Sequence, residues 1–275
     1  MKIGKVYAVY FSATGTTRRV ATHIAATLAE SLGATLATRD FTLPAGRAEP
    51  LMFVQGELIV FGTPVYAGRV PNVLLKYLDT MRGDGALAVP VVLFGNRAYD
   101  DALIEQRDLL DRKGFGVVGA AAFVGEHSFS TILGAGRPDS SDLALAGRFA
   151  LELAEKVRIL PENAAPSPLA IKGNPYPHKG YYRPRDGLGE AIDLLKVKPR
   201  VNDSCTNCGL CVGLCPMGSI SGSNVREYTG ICIKCGACTK GCPAGARYYD
   251  DPGYLYHQQD LEQEFTRSAA PEIIF

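Results

Sequence analysis

Lys5-Val6-Tyr7-Ala8-Val9-Tyr10-Phe11-Ser12-Ala13-Thr14-Gly15-Thr16-Thr17 runs a largely apolar heptapeptide straight into a loop with four hydroxyls and one glycine. A short apolar run without polar alternation reads as a strand covered on both faces, the condition of a parallel sheet. Arg18 to Leu32 then reads as a helix, because Val20, Ile24 and Leu28 recur every four residues and Ala21, Ala25 and Leu32 widen the stripe. Gly33 stands where a C-terminal cap belongs. Working outward, apolar runs recur at Ala34 to Ala37, Leu58 to Gly62, Val89 to Gly95 and Gly116 to Val124. Helical stretches fall near Pro71 to Met81, Asp101 to Lys113 and Ser141 to Leu160. Five strands alternating with helices predict an α/β, doubly wound, five-stranded parallel sheet over residues 1–160.

In such a sheet a ligand sits beyond the carboxyl ends of the strands, at the switch point. Ser12, Ala13, Thr14, Gly15, Thr16 and Thr17 lie there, between the first strand and the first helix. Backbone N–H groups and hydroxyls at a helix N-terminus suit a phosphate monoester. The loop lacks both Gly-x-Gly-x-x-Gly and Gly-Lys-Ser/Thr, which removes the usual dinucleotide and nucleoside-triphosphate fingerprints. Two more loops reach the same end: Thr63, Pro64, Val65, Tyr66, Ala67 and Gly68 after the third strand, and Gly95, Asn96, Arg97, Tyr99 and Asp101 after the fourth. Gly125 to Ser130 follows the fifth strand, and its His127, alone in a polar loop, reads as solvated.

All eight cysteines fall between Cys205 and Cys242, as two runs of Cys-x-x-Cys-x-x-Cys-x-x-x-Cys-Pro repeated 27 residues apart. This is the spacing of bacterial-type ferredoxins with two [4Fe-4S] clusters, in which the fourth cysteine of each run serves the other cluster. One cluster then takes Cys205, Cys208, Cys211 and Cys242, and the other takes Cys232, Cys235, Cys238 and Cys215. Zinc would need two pairs and a longer spacer, leaving the third cysteine of each run idle. A disulfide framework suits a small secreted domain, whereas the first 204 residues of this chain contain no cysteine.

A net charge of +1 gives no footing for nucleic acid. No run of about 18 apolar residues predicts a membrane span, and the short apolar stretch near Met1 lacks a cleavage site, so a cytoplasmic protein is expected. Between the sheet and the cysteine segment (201–250), residues 161–200 hold seven prolines and seven Lys/Arg against four Asp/Glu. That composition reads as a semi-rigid connector, with a short helix around Ala191, Ile192, Leu194 and Leu195, and it is expected to dock the cysteine segment near the loops at the carboxyl ends of the strands. Residues 251–275 remain as an acidic C-terminal extension.

The hydroxyl loop resembles the FMN phosphate loop of flavodoxins, and the cysteine repeat resembles a two-cluster ferredoxin. Together they resemble the flavodoxin/ferredoxin fusion proteins, a flavodoxin-like domain followed by a small α+β ferredoxin domain. The resemblance implies FMN as the phosphate ligand, with the loops after the third and fourth strands bracketing the isoalloxazine and Tyr66 or Tyr99 stacked on it. Gly68 then either permits a peptide flip beside flavin N5 or serves only as a turn residue, and the directions of Arg69 and Arg97 bear on the flavin potential. The implied function is an electron carrier serving a ferredoxin-, flavodoxin- or flavoenzyme-type partner. The alternative is a reductase whose clusters feed FMN for an organic acceptor; no acid–base pair or nucleophile in the sequence supports it.

Overall fold

Alternation along the first strand decides how the sheet is covered. In the computed structural model, which describes residues 1–161 and 169–275, β1 (Lys5–Tyr10) sends Val6, Ala8 and Tyr10 into one apolar layer and Tyr7 and Val9 into the other. The first layer is closed by α1 (Thr16–Leu32) and α4 (Ser140–Ile159), which contribute Val20, Ile24, Leu28, Phe149, Leu153 and Val157. The second is closed by α2 (Asn72–Leu78) and α3 (Ala102–Arg112). Burying each such aliphatic or aromatic side chain contributes about 1.5–3 kcal/mol, so the two layers supply most of the driving force. Contact between α1 and the sheet is close at Gly62, where a Cβ would lie 2.8 Å from the Thr17 methyl.

The parallel strands run in the order β2 (Thr35–Asp40), β1, β3 (Glu57–Pro64), β4 (Leu87–Phe94) and β6 (Ala120–Val124). A two-residue β5 (Gly116–Val117) also pairs with β4. This is the flavodoxin-like doubly wound order, with the switch point between β1 and β3. One strand departs from the five-stranded expectation. After the cysteine segment the chain returns to the sheet, and β9 (Glu272–Ile274) pairs antiparallel with β6, matching Ala120 to Ile274 and Ala122 to Glu272. Three residues are too few to show an alternation, which is why the extension reads as featureless in sequence.

The cysteine segment is tied by a short antiparallel pair, β7 (Arg200–Val201) with β8 (Arg247–Tyr248), and holds two small helices, α5 (Leu210–Leu214) and α6 (Ala237–Lys240). The 27-residue sequence repeat is also a backbone repeat. Asn207 and Lys234 have φ +55° and +54°, Gly209 and Gly236 +74° and +78°, and Gly218 and Gly245 both +58°. Left-handed residues at matched positions turn both loops around their sulfurs in the same way.

A 13-residue helix, α7 (Pro252–Glu264), follows, started by the Asp251 side chain accepting the Tyr254 N–H at 2.9 Å with proline at the first position. The helix expected around Ala191 to Leu195 does not form. Asp186 accepts the N–H groups of Leu188 and Glu190, and Asp193 accepts that of Leu195, so local turns replace it. Residues 162–168 of the expected connector lie outside the described residues. From Leu169 onward it packs along α3 and the β3–α2 loop, with Leu169 and Ile171 joining the apolar layer and the Tyr181 hydroxyl donating to Val70 O at 2.9 Å. Among the described residues no helix is long and apolar enough to cross a membrane.

Candidate functional site

The β1–α1 loop presents an unsatisfied helix start. Gly15, at φ +90°, caps α1 with no side-chain hydrogen bond, and the first intrahelical bond is Arg19 N–H to Gly15 O. The N–H groups of Thr14, Gly15, Thr16 and Thr17 therefore have no partner among the described residues. Behind them, Ser12 N–H donates to Thr42 Oγ1 at 2.8 Å and Ser12 Oγ accepts from Arg18 N–H at 3.0 Å, which fixes the loop's shape. Ala13, Thr14, Thr16 and Thr17 line a solvent-open cavity, whereas Ser12 and Gly15 are not part of its lining.

Pro64, Val65 and Tyr66 form a second wall of the same cavity. Burial first, then negative charge at Cys235 and Cys232, push the Tyr66 phenol well above its ordinary value. Thr63 sits behind this wall and accepts from Gln106 Nε2 at 3.1 Å. Ala67 and Gly68, at φ +51° and +78°, form a two-residue turn closed by Tyr66 N–H to Arg69 O and Arg69 N–H to Tyr66 O. Their carbonyls are engaged, Ala67 O by Tyr182 N–H and Gly68 O by Asp101 N–H, so the turn is pinned by the connector and α3.

Of the β4–α3 loop only Gly95 lines the cavity, next to Leu93 and Phe94. The rest holds other parts of the chain. Asn96 Nδ2 donates to Phe265 O and Arg267 O at 2.8 Å each, while its Oδ1 accepts Ala269 N–H at 2.8 Å. Asp101 accepts from Asn174 N–H at 2.9 Å and from Lys179 N–H at 3.0 Å. Tyr99, expected on the ring, is instead buried against Phe94, with its hydroxyl donating to Glu272 Oε2 at 2.6 Å. The arginines turn to the connector as well: Arg97 pairs with Asp100 and lies 4.5 Å over the Tyr182 ring, and Arg69 pairs with Glu105 at 2.6 Å.

The loop after β6 supplies a further wall of the cavity. Gly125, Glu126, His127 and Ser128 line the cavity, and His127 is half-buried, not solvated. Its ring rests on Gly95, where a Cβ would fall 2.2 Å from His127 Cδ2. Burial first, then the positive charge of His257, Lys240 and Arg97, push its imidazole down to about 4. Lys240 of α6 binds this loop three ways, pairing with Glu126 and donating to His127 O and Ser130 O at 2.7 Å each. The cysteine segment comes close here: a Cβ on Gly236 would lie 2.7 Å from Ser128 O, and Cys235 itself is part of the cavity wall.

The cysteines line two further cavities. Cys205, Cys208, Cys211 and Cys242 line one; Cys232, Cys235, Cys238 and Cys215 line the other. In both, three thiols come from one run and the fourth from the other, and the fourth accepts an equivalent amide: Ser219 N–H to Cys215 Sγ and Ala246 N–H to Cys242 Sγ, each 3.4 Å. Among the described residues no three Cys, His, Asp or Glu are grouped as a lone metal ion would need, whereas four sulfurs spread around a cavity suit a multi-atom cage. Burial pushes the Cys235 and Cys238 thiols up to about 12, so without iron they are protonated. At Cys242 burial raises the thiol, but N–H groups of Ala246, Ala244 and Arg247 outweigh it and the net shift is downward.

A flavodoxin domain profile matches residues 7–94, and a 4Fe-4S dicluster domain profile matches residues 204–247. The chain is thus a flavodoxin domain followed by an iron–sulfur domain of ferredoxin type, and its role is electron transfer. The first domain implies FMN and the second iron–sulfur clusters. A comparison with curated protein sequences finds no match. Among solved structures, an archaeal flavodoxin is 16% identical at a TM-score of 0.40, with 56% of this chain and 99% of that one covered. A Streptococcus pneumoniae flavodoxin is 20% identical at 0.39, with 56% and 99% covered. The rubredoxin:oxygen oxidoreductase of Desulfovibrio gigas is 13% identical at 0.39; 57% of this chain is matched, to 37% of that one.

Proposed function

We propose that this chain holds two [4Fe-4S] clusters and one FMN and passes electrons between them and a redox partner protein. Cys205, Cys208, Cys211 and Cys242 would hold an outer cluster, and Cys232, Cys235, Cys238 and Cys215 an inner one. The N–H groups and hydroxyls of Thr14, Thr16 and Thr17 would hold the FMN phosphate, with Val65, Tyr66 and Gly95 beside the ring. When bound, clusters carry single electrons and FMN exchanges one- and two-electron steps.

One observation carries the reading: Cys235 lines both the inner thiol cavity and the cavity behind the hydroxyl loop. A ligand sulfur shared between two walls leaves little intervening protein. The chain's own residues keep that wall closed, since Lys240 ties the 126–130 loop to α6 and Gly236 meets Ser128 at a distance only glycine permits. Cys208, in the outer set, is exposed, which supports electron exchange with a partner at that cluster.

Anaerobic reconstitution is expected to give about eight iron, eight sulfide and one FMN per chain. With a one-electron donor, Cys208→Ser is expected to slow bleaching of the flavin at least about tenfold without reducing FMN content. Equal bleaching rates in wild type and variant would remove the outer-to-inner-to-flavin order.

A further inference from the structure

His127 is held with one ring nitrogen committed and the other free. Its Nδ1 accepts the N–H of Phe129 at 3.1 Å, a bond that an imidazole protonated at Nδ1 cannot make, so its proton sits on Nε2. Rotation is blocked on several sides. His127 N–H donates to Leu133 O at 3.0 Å, its carbonyl is gripped by Lys240, Phe129 meets the ring edge-on at 5.4 Å, and Gly95 lies against Cδ2. Nε2 makes no hydrogen bond to a described residue, and it is not among the sealed unpartnered atoms, which are Gln106 Oε1, His178 Nε2 and His257 Nδ1. On a side chain that lines the cavity, this leaves Nε2 open to whatever fills it.

We infer that His127 Nε2–H donates a hydrogen bond to the bound flavin, making His127 a binding residue that tunes the flavin as well as retaining it. The inference rests on the FMN reading above. The donor is neutral, with the nearby cations already engaged: Lys240 with Glu126 and Arg97 with Asp100. A hydrogen bond from a fixed donor strengthens as its acceptor gains electron density, so His127 favours the reduced flavin over the oxidised one.

The test compares the holoprotein with His127→Gln and His127→Phe, measuring FMN dissociation constants, anaerobic flavin midpoints and iron content. Expected are a loss of about tenfold in FMN affinity and lower flavin midpoints for His127→Phe, values within about threefold of wild type for His127→Gln, which keeps a donor, and unchanged iron in both. Wild-type affinity and midpoints in His127→Phe would overturn the inference. Should that variant fail to fold, two-bond nitrogen–proton NMR of the wild type decides: the Nε2–H tautomer, with its resonance moved by added FMN, supports the assignment, and the Nδ1–H tautomer or an unmoved resonance overturns it. Failure of the wild type to take up FMN with its clusters intact would instead fell the flavin reading itself.

Discussion

At the residue scale, the hydroxyl loop was legible because composition and position spoke together: four hydroxyls beside a glycine, placed between an apolar run and a helix. Thr14→Ala combined with Thr16→Ala is expected to weaken FMN binding at least about tenfold while leaving iron content unchanged, as read by flavin fluorescence and iron assay. Tyr99, Asn96 and Asp101 were not legible in the same way. Their partners, Glu272, Phe265, Ala269 and Asn174, lie 73 to 173 residues away, and no local pattern announces a contact over that span. His127 is half-buried where a polar loop predicts solvation for a related reason, since its contacts come from Gly95 and from Lys240 of the other domain. That burial has a pH consequence. His127 is pushed down to about 4 in the folded chain against an ordinary value of 6.5, and His257 shifts in the same direction. The unfolded chain thus binds protons first as pH falls, so stability contributed by His127 is intact above about 6.5 and is lost on acidification toward about 4. The loss is about 2–3 kcal/mol, to be seen in denaturant midpoints and to be largely absent in His127→Gln.

At the element scale, the parallel strands and the three long helices α1, α3 and α4 of the first domain are legible in apolar runs and helical spacing. Regular periodicity over ten or more residues survives almost any tertiary context. The short elements are not. β9 has three residues, and the expected helix at Ala191 to Leu195 lost to turns seeded by Asp186 and Asp193. β9 is held by Asn96, whose side chain makes three hydrogen bonds to the segment just before it. Asn96→Ala is expected to destabilise the fold by about 2–3 kcal/mol and to raise amide exchange in residues 265–274, with little effect on iron content.

At the scale of the whole molecule, the cysteine spacing predicts two crossed sets of four, and the same sets line the two thiol cavities. Cys215→Ala is expected to damage the cluster of the second run and leave that of the first better preserved, followed by electron paramagnetic resonance; selective loss of the first-run cluster would contradict crossing. What the sequence did not disclose is how the two halves meet, because that contact rests on Lys240, Gly236 and Ser128, residues ordinary in isolation. Lys240→Met removes all three of its bonds to the 126–130 loop. It is expected to leave both cofactor contents near wild type yet slow bleaching of the flavin by a one-electron donor several-fold.

The last strand has one more consequence. Because β9 seals the exposed margin of β6, the flavodoxin half borrows its final piece of sheet from beyond the iron–sulfur half. A fragment ending near residue 160 would carry a bare strand margin of the kind that recruits other chains, so splitting this protein at its apparent domain boundary should yield sticky material, and excision of the middle with β9 retained should behave better. In topological terms the chain passes through the iron–sulfur segment before it adds the last edge of the sheet.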